Sequence, residues 1–246
     1  MHSFAIVAHR RTGSNHLVSL LNSHPHLACY GEIFRNCYDV ARFLPGLEGD
    51  FADVDARIER PAQFLDAIHA QVPEGNSGWG FKLMPFQVPD GGEAILSQKV
   101  DRAIILRRDN RLAQYSCDLI AAEAEQKSSE MGAGEKPRQV KFSARDFNEF
   151  CREVDSDYDK MRAALEYGDK PVLEIEYMEL QDSDLPERLC SFLQVEPAPL
   201  KSDHQKRINP VVLDRFKNYK FARNYLINNG LNEWAVEARA DKGTGS

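Results

Sequence analysis

The sequence predicts an α/β fold in which helices flank a parallel β-sheet within a single domain, residues 1–246. Short apolar runs rich in β-branched residues recur along the chain, and each is followed by apolar residues at helical spacing. A length of 246 residues allows one well-buried core and is short for two independent domains. These observations together favour alternating strands and helices over an all-helical or all-strand fold.

The predicted strands are the apolar runs at residues 4–8, 103–106 and 172–175, with a fourth at residues 79–84. The first strand is followed by an amphipathic helix with Leu17, Leu20 and Leu21 on its apolar face. A second helix follows the strand at residues 103–106, and its apolar positions are Leu112, Tyr115 and Leu119.

Helical spacing returns twice in the second half of the chain, through Phe147, Phe150, Val154 and Met161 and then through Leu185, Leu189 and Phe192. Before the first of these helices, residues 123–141 are polar and contain Gly and Pro, which predicts a mobile loop that could act as a lid. Residues 241–246, with the sequence DKGTGS, are predicted to form a flexible tail.

Composition excludes several function classes. A formal net charge of −7 argues against a nucleic-acid-binding protein, because such proteins need basic surfaces that displace counterions from phosphates. The five cysteines are scattered without the paired spacing of a zinc site, which favours a reduced, cytoplasmic chain. No window approaches the roughly 20 apolar residues of a membrane span. The expected partner is therefore a small molecule, bound at a local site.

The first candidate site is the polar turn between the first strand and its helix, in the segment FAIVAHRRTGSNHLVSLLNSHP. Gly13 allows the backbone to approach a ligand closely, Ser14 and Asn15 supply short donors, and Arg11 adds a permanent positive charge. Backbone N–H groups at a helix start converge on anions, so this turn is typical of a phosphate site. An ordinary turn with Ser14 as the helix N-cap fits the same residues.

A nucleoside triphosphatase loop differs from this segment. It requires the pattern G-x-x-x-x-G-K-[ST], in which the lysine binds phosphates and the hydroxyl binds magnesium. Neither the first glycine nor the Gly-Lys-Ser/Thr group is present here.

The second candidate site repeats this architecture in the segment VDRAIILRRDNRLAQYSCD. Two arginines follow the strand, and Ser116 lies eight residues after Arg108 in the following helix. Arg107 does not have this spacing and is expected to be solvated or structural.

The two segments together resemble the motifs of the sulfotransferase superfamily, which has a P-loop-like parallel sheet. The family loop for the 5'-phosphosulfate reads roughly K/R-S/T-G-S/T-T/N, and the matching residues here are Arg11, Thr12, Gly13, Ser14 and Asn15. Its 3'-phosphate motif is an arginine followed eight residues later by a serine, as in Arg108 and Ser116. The resemblance implies 3'-phosphoadenosine 5'-phosphosulfate (PAPS) as the sulfuryl donor and no metal.

Two further segments extend the resemblance. HQKRINP resembles the basic stretch that covers the 3'-phosphate in this family, which makes Lys206 and Arg207 secondary candidates beside the alternative of solvated charges. KPVLEIEYMEL resembles a late strand and turn of the family, in which Glu176, Tyr177 and Glu179 are expected to be structural.

The catalytic base is predicted to be Glu32. In one branch of the family a histidine two residues after a strand lysine removes the acceptor's proton, but here Lys82 is followed at that position by Met84, which cannot accept a proton. The segments KLM and YGEIF resemble instead a bacterial branch that acts on trehalose and nodulation-factor sugars and uses a glutamate. A surface or salt-bridged carboxylate is the alternative role for Glu32, and His9 and His16 are weaker rivals as the base.

The predicted activity is sulfuryl transfer to the hydroxyl of a carbohydrate or other small polyol, with Arg11 and Lys82 on the sulfate and bridging oxygens and Glu32 as the base. The acceptor is expected to contact residues 36–72 and 123–141. A magnesium-dependent nucleotide kinase with a degenerate P-loop and a non-catalytic nucleotide-binding module are the alternatives. The sequence leaves the oligomeric state open.

Overall fold

A computed structural model describes residues 1–35, 44–88, 92–131, 139–203 and 210–237. The chain is divided into two compact units. Unit 1 comprises Met1–Arg107 and Ser156–Gln205, and unit 2 comprises Arg108–Asp155 and Lys206–Ser246. The single domain expected from the sequence stays a prediction.

Unit 1 contains a five-stranded parallel sheet within its described residues, which confirms the predicted α/β fold. The strands lie in the order β2-β3-β1-β4-β5, and every neighbouring pair is parallel. Their bounds are β1 His2–Ala8, β2 Leu27–Tyr30, β3 Gly78–Leu83, β4 Arg102–Arg107 and β5 Val172–Glu176. Four of the five correspond to predicted apolar runs, whereas β2 has only four residues, LACY, and carries too short a pattern to be recognised.

The helices of unit 1 follow the strands as the alternating pattern predicts. They are α1 Ser14–Asn22, α2 Glu48–Phe51, α3 Val54–Glu59, α4 Pro61–His69, α5 Gly92–Gln98 and α8 Leu185–Phe192. The predicted apolar positions of α1 and α8 are part of one core with the side chains on one face of the sheet, among them Phe4, Ile6 and Ile104. Because side chains alternate along a strand, Ala5 and Val7 lie on the opposite face.

An aromatic cluster lies at β3. The ring of Phe34 packs edge-on against those of Phe64 on α4 and Phe81 on β3. The indole N–H of Trp79 donates a hydrogen bond of 3.0 Å to His69, the last residue of α4. These contacts fix α4 against the strand that carries Lys82.

Unit 2 contains α6 Arg111–Met131, the first part of α7 Ala144–Tyr167, and α9 Tyr219–Asn228. Its core is aromatic. Rings from α6, α7 and α9, together with the ring of Phe216 ahead of α9, pack around Phe142; they are those of Tyr115, Phe147, Phe216, Phe221 and Tyr225. The apolar positions predicted for the helices at Leu112 and Phe147 are buried.

Helix α6 continues to Met131 and therefore covers the first residues of the stretch 123–141 for which the sequence predicts a loop. Glu, Gln and Lys are strong helix formers although they are polar, as is the small apolar Ala, so polarity alone does not end a helix. Residues 132–138 and the predicted tail at residues 241–246 lie outside the described residues. Among the helices that the structure does describe, none has both the length and the apolar content needed to cross a bilayer.

The strand order makes the carboxyl ends of the strands the expected binding edge of unit 1. The chain moves to one side of β1 to form β2 and β3, and to the other side to form β4 and β5. Ligands of open α/β sheets bind outside the carboxyl ends of the strands at such a reversal of strand order. The turn after β1 lies at this position.

Candidate active site

The turn after β1 has the backbone conformation of an anion-binding loop. Arg11 and Gly13 both adopt positive φ angles, of 63° and 85°. Helix α1 begins at Ser14, so Gly13 is its N-cap, rather than Ser14 as the ordinary-turn alternative would have it. Ser14 and Asn15 occupy the first helical positions, where a backbone N–H has no carbonyl partner in a preceding turn. Alternation of right- and left-handed residues turns successive N–H groups towards a shared concavity, which is suited to phosphate.

Buried polar contacts hold this loop in place. The Thr12 hydroxyl is buried and donates to the His9 carbonyl at 2.8 Å, so it serves the shape of the loop. The His9 N–H donates to the Tyr158 hydroxyl at 3.0 Å, and that hydroxyl donates to the Leu106 carbonyl at 2.6 Å. Tyr158 thereby links the carboxyl ends of β1 and β4. Nothing in the local sequence pattern distinguishes Tyr158 from the other core residues of α7.

Gly13 is required sterically as well as for its φ angle. A Cβ at this position would lie 2.7 Å from Leu180 Cδ1 and 3.0 Å from the Tyr177 ring, both in the turn after β5. Tyr177 thus supports the loop from behind, which agrees with the structural role expected for it.

Gly13→Ala is expected to reduce stability more than Gly75→Ala. Both residues have φ near +90°, where an L side chain costs about 1–2 kcal/mol, but a Cβ on Gly75 meets nothing within 4 Å. Overpacking against Leu180 and Tyr177 should add about 1 kcal/mol or more at Gly13. Urea unfolding of the two variants measures the difference, and equal losses would contradict a tightly backed loop.

Lys82 connects the loop to Glu32. Its ammonium group donates to Asn15 Oδ1 and lies against Glu32 Oε1, each at 2.6 Å. Lys82 is on β3, one residue before its end, and Glu32 follows the end of β2, so adjacent parallel strands bring the two side chains together. Burial lowers the pKa of Lys82, while the hydrogen bond and charge of Glu32 oppose this shift. The structure thus brings three of the predicted site residues into direct contact.

The second carboxylate oxygen of Glu32 is also held. Gln87 Nε2 donates to Glu32 Oε2 at 2.8 Å, and the Met84 N–H donates to Gln87 Oε1 at 3.2 Å, which fixes the direction of the amide. Arg35 lies 3.8 Å from the same carboxylate oxygen and is largely exposed. Gln87 was not predicted as a site residue, because an isolated glutamine in a short turn belongs to no recognisable sequence pattern.

The segment after Glu32 is anchored by Arg57, which is buried on α3. Its guanidinium donates to the carbonyls of Ile33 at 3.2 Å and Arg35 at 3.4 Å. It also donates to the carbonyls of Phe51 at 2.7 Å and Ala52 at 2.6 Å. A planar group with five donors can fix several carbonyls at once, so Arg57 orients the backbone that carries the carboxylate.

The remaining candidates around the loop have distinct positions. Arg11 is exposed at the turn, and the Arg10 guanidinium lies 5.6 Å from the centre of the Phe86 ring. His9 is fully buried, 3.5 Å from Asp157, and His16 is half-buried in the first turn of α1.

In unit 2, Arg108 binds a carboxylate of its own chain. Its guanidinium donates from Nε to Glu237 Oε1 and from Nη2 to Glu237 Oε2, both at 2.6 Å, and both side chains are buried. This two-point contact is the strongest arrangement of an arginine with an anion. No local pattern indicates Glu237, which is 129 residues away from Arg108 along the chain.

Ser116 belongs to the same buried cluster through a second arginine. Its hydroxyl accepts from Arg215 Nη1 at 3.1 Å and donates to the Ala113 carbonyl at 2.9 Å. Arg215 Nη2 also lies 3.9 Å from Glu237 Oε2. Lys206 and Arg207, the basic residues selected from the sequence, lie outside the described residues. Arg107, which was expected to be solvated or structural, pairs with Glu174 in unit 1 at 3.3 Å.

Comparison with known proteins supports the fold. No protein-family model matches the chain. No curated protein matches it either. Among solved structures, the chain is similar to a sulfotransferase from Alicyclobacillus acidocaldarius, with 14% sequence identity and a TM-score of 0.50. The match covers 98% of this chain and 97% of the other. The fold is therefore one that a sulfotransferase adopts, and the residues of the site carry the functional argument.

Proposed function

We propose that the chain is a sulfotransferase that moves a sulfuryl group from PAPS to an acceptor hydroxyl. The observation that carries the proposal is the contact chain from Glu32 through Lys82 to Asn15, beside a glycine-containing turn without a Walker lysine. It supplies a carboxylate, a cation and a phosphate-competent helix start within a few ångströms of each other. The similarity in fold to a sulfotransferase agrees with this proposal.

The residues around the β1 turn fit a phosphosulfate group. The positive φ of Gly13 fits a loop whose backbone must approach a ligand closely, and the packing of Leu180 and Tyr177 against Gly13 supports that conformation. Ser14 and Asn15 would bind the 5'-phosphate through their N–H groups at the start of α1. Arg11 and Lys82 would neutralise the sulfate and the bridging oxygen.

Each side chain has one task in the proposed reaction. The acceptor oxygen forms a bond to sulfur while the bond between sulfur and the bridging phosphate oxygen breaks. Glu32 takes the proton of the acceptor hydroxyl, and adenosine 3',5'-bisphosphate leaves. Each Glu32 oxygen has two lone pairs, so its contacts with Lys82 and Gln87 leave room for the acceptor hydroxyl. Positioning and charge stabilisation are then the main catalytic contributions.

The 3'-phosphate of the donor is assigned to Arg108 and Ser116 on the sequence resemblance. Both side chains lie in one buried polar cluster of unit 2, which supports a shared role. The donor would supply the sulfuryl group and no metal would be required. Lys206 and Arg207 stay secondary candidates for the same phosphate.

The proposed acceptor is a carbohydrate or other small polyol. The resemblance of YGEIF and KLM to the sugar-acting bacterial branch supports this class. Reduced cysteines support the further proposal of a cytoplasmic location, and Cys29, Cys117, Cys151 and Cys190 are free thiols.

Two measurements test the proposal. Adenosine 3',5'-bisphosphate should raise the melting temperature of the full chain, and ATP with magnesium should not. The reverse result would favour a nucleotide kinase. Transfer of labelled sulfate from PAPS to a panel of sugars and polyols should then be detectable, and binding without any transfer would favour a non-catalytic nucleotide-binding module.

A further inference from the structure

The carboxylate of Glu237 fills the place that Arg108 offers to an anion. Both guanidinium donors that form the two-point contact are used by Glu237 Oε1 and Oε2, at 2.6 Å each. Carboxylates and phosphates bind to arginine through the same pair of parallel hydrogen bonds. A phosphate that binds Arg108 in this way must therefore take the position of Glu237.

The charges of this cluster favour a more highly charged anion. Glu237 contributes one negative charge against the positive charges of Arg108 and Arg215, which lie 2.6 and 3.9 Å from the same carboxylate oxygen. A phosphate monoester carries up to two negative charges and three acceptor oxygens at neutral pH. It would thus satisfy both arginines more completely than a single carboxylate does.

Glu237 ends the segment 232–237, which contacts the aromatic core of unit 2 through Trp234, whose ring packs edge-on against that of Phe147. Asn232, Glu233 and Val236 are exposed, and only Glu237 at the end of the segment is buried. The segment is also held by backbone hydrogen bonds from Val212 to Ala235, at 2.9 Å, and from Glu237 to Pro210, at 2.8 Å. Asn110 Nδ2 donates in addition to the carbonyls of Trp234, at 3.2 Å, and Val236, at 3.3 Å. Release of the segment exchanges these contacts for contacts with water, at a cost in free energy that binding of the phosphate to Arg108 and Arg215 must offset.

We propose that Glu237 is an internal competitor of the donor's 3'-phosphate for Arg108. In the free chain its carboxylate occupies the arginine, and donor binding releases the segment 232–237. This inference rests on the proposed function, because it takes the 3'-phosphate of PAPS as the ligand of Arg108. Because it competes with the 3'-phosphate, the segment 232–237 lowers the affinity of the enzyme for its donor.

Hydrogen exchange on the unmodified full chain tests the release. Saturating adenosine 3',5'-bisphosphate should speed amide exchange at Val212 and Glu237 by about ten-fold or more, because both N–H groups bond across this segment. Adenosine 5'-phosphate, which lacks the 3'-phosphate, should leave these rates unchanged. Unchanged or slower exchange at saturating bisphosphate would overturn the proposal.

Nucleotide affinity provides a second test. Glu237→Gln keeps the shape of the side chain and removes its charge, so the Kd of adenosine 3',5'-bisphosphate should fall about ten-fold. Glu233→Gln, in the exposed part of the same segment, is the matched control and should leave the Kd unchanged. Equal affinity of Glu237→Gln and wild type would overturn the competitor role alone. Failure of the wild type and of Glu237→Gln alike to bind the bisphosphate would overturn the donor assignment as well.

Discussion

Glu32→Gln is expected to lower the turnover of sulfuryl transfer by about two to four orders of magnitude, the range that a general base contributes. Glutamine has nearly the size of glutamate but cannot take a proton from the acceptor hydroxyl. The amide oxygen of the variant can still accept from Lys82, although its NH2 group can no longer accept from Gln87. The contact from Lys82 to Asn15 of the loop is unaffected, so the affinity for adenosine 3',5'-bisphosphate should stay near that of the wild type. Steady-state kinetics with PAPS and calorimetry with the bisphosphate measure the two quantities.

Asp66→Asn is the control for this substitution. Asp66 is also a carboxylate paired with a lysine, at 2.8 Å from Lys99, but it lies on the exposed side of α4. Its replacement should leave turnover unchanged. Wild-type turnover in Glu32→Gln would assign the base to another residue, and loss of bisphosphate binding would show that Glu32 supports the pocket rather than the proton transfer.

Gln87 offers a test of whether the orientation of Glu32 matters. Gln87→Leu removes the donor to Glu32 Oε2 and should lower turnover by about ten-fold, with little effect on the KM for PAPS. In a Glu32→Gln background the same change should have almost no further effect, because Gln87 acts through Glu32. Additive losses in this double-mutant cycle would contradict a positioning role.

Arg108→Ala is expected to lower the free energy of unfolding by about 3–5 kcal/mol, the cost of removing one partner of a buried ion pair. The substitution leaves the Glu237 carboxylate in a buried site without its two-point partner, and Arg215 lies 3.9 Å from one of its oxygens. The denaturation midpoint in urea, with the slope compared to that of the wild type, measures this loss.

Two further variants separate the charge effect from a general loss of packing. Arg108→Met combined with Glu237→Leu removes both charges and should recover most of the stability, because apolar replacement of a whole buried pair is often neutral or stabilising. Arg145→Ala breaks an exposed pair with Asp146 and should leave the midpoint unchanged. A small loss in Arg108→Ala would mean that water reaches Glu237 in the native state.

The stability loss affects how Arg108 is tested as a phosphate ligand. The contact with a phosphate is expected to contribute about ten- to a hundred-fold to nucleotide affinity. Arg108→Ala combines that effect with unfolding, whereas Arg108→Lys keeps the positive charge opposite Glu237 and loses only the two-point geometry. Nucleotide affinity of the lysine variant is therefore the cleaner measurement.

Local sequence patterns were sufficient to predict most strands of the sheet. The runs at residues 4–8, 79–84, 103–106 and 172–175 coincide with parallel strands to within one residue. Strands β1, β3 and β4 are buried on both faces and are therefore apolar at successive positions, whereas β5 lies at the edge of the sheet and is partly exposed. The apolar pattern did not predict β2, because its four residues are too few to show a recognisable pattern. The loop predicted from residue 123 onwards was wrong as far as Met131, because polar residues that favour helices continue α6 to that position.

Local sequence patterns predicted only part of the candidate site. Gly13, Asn15, Lys82 and Glu32 were selected one by one from short motifs, and the structure brings the last three into contact. Gln87, Arg57 and Tyr158 were missed because each acts through a contact with residues distant in sequence, and no local pattern encodes such a contact.

By itself the sequence determined the alternation of strands and helices, the position of the glycine turn after β1, and the absence of a Walker lysine. These features depend on residues adjacent along the chain, so composition and spacing are enough to reveal them. The tertiary structure alone decided that Lys82 joins Asn15 to Glu32, and that Arg108 is bound by Glu237. Pairing of buried charges depends on which distant segments the fold brings together, and the free energy of a buried charge makes those pairings specific.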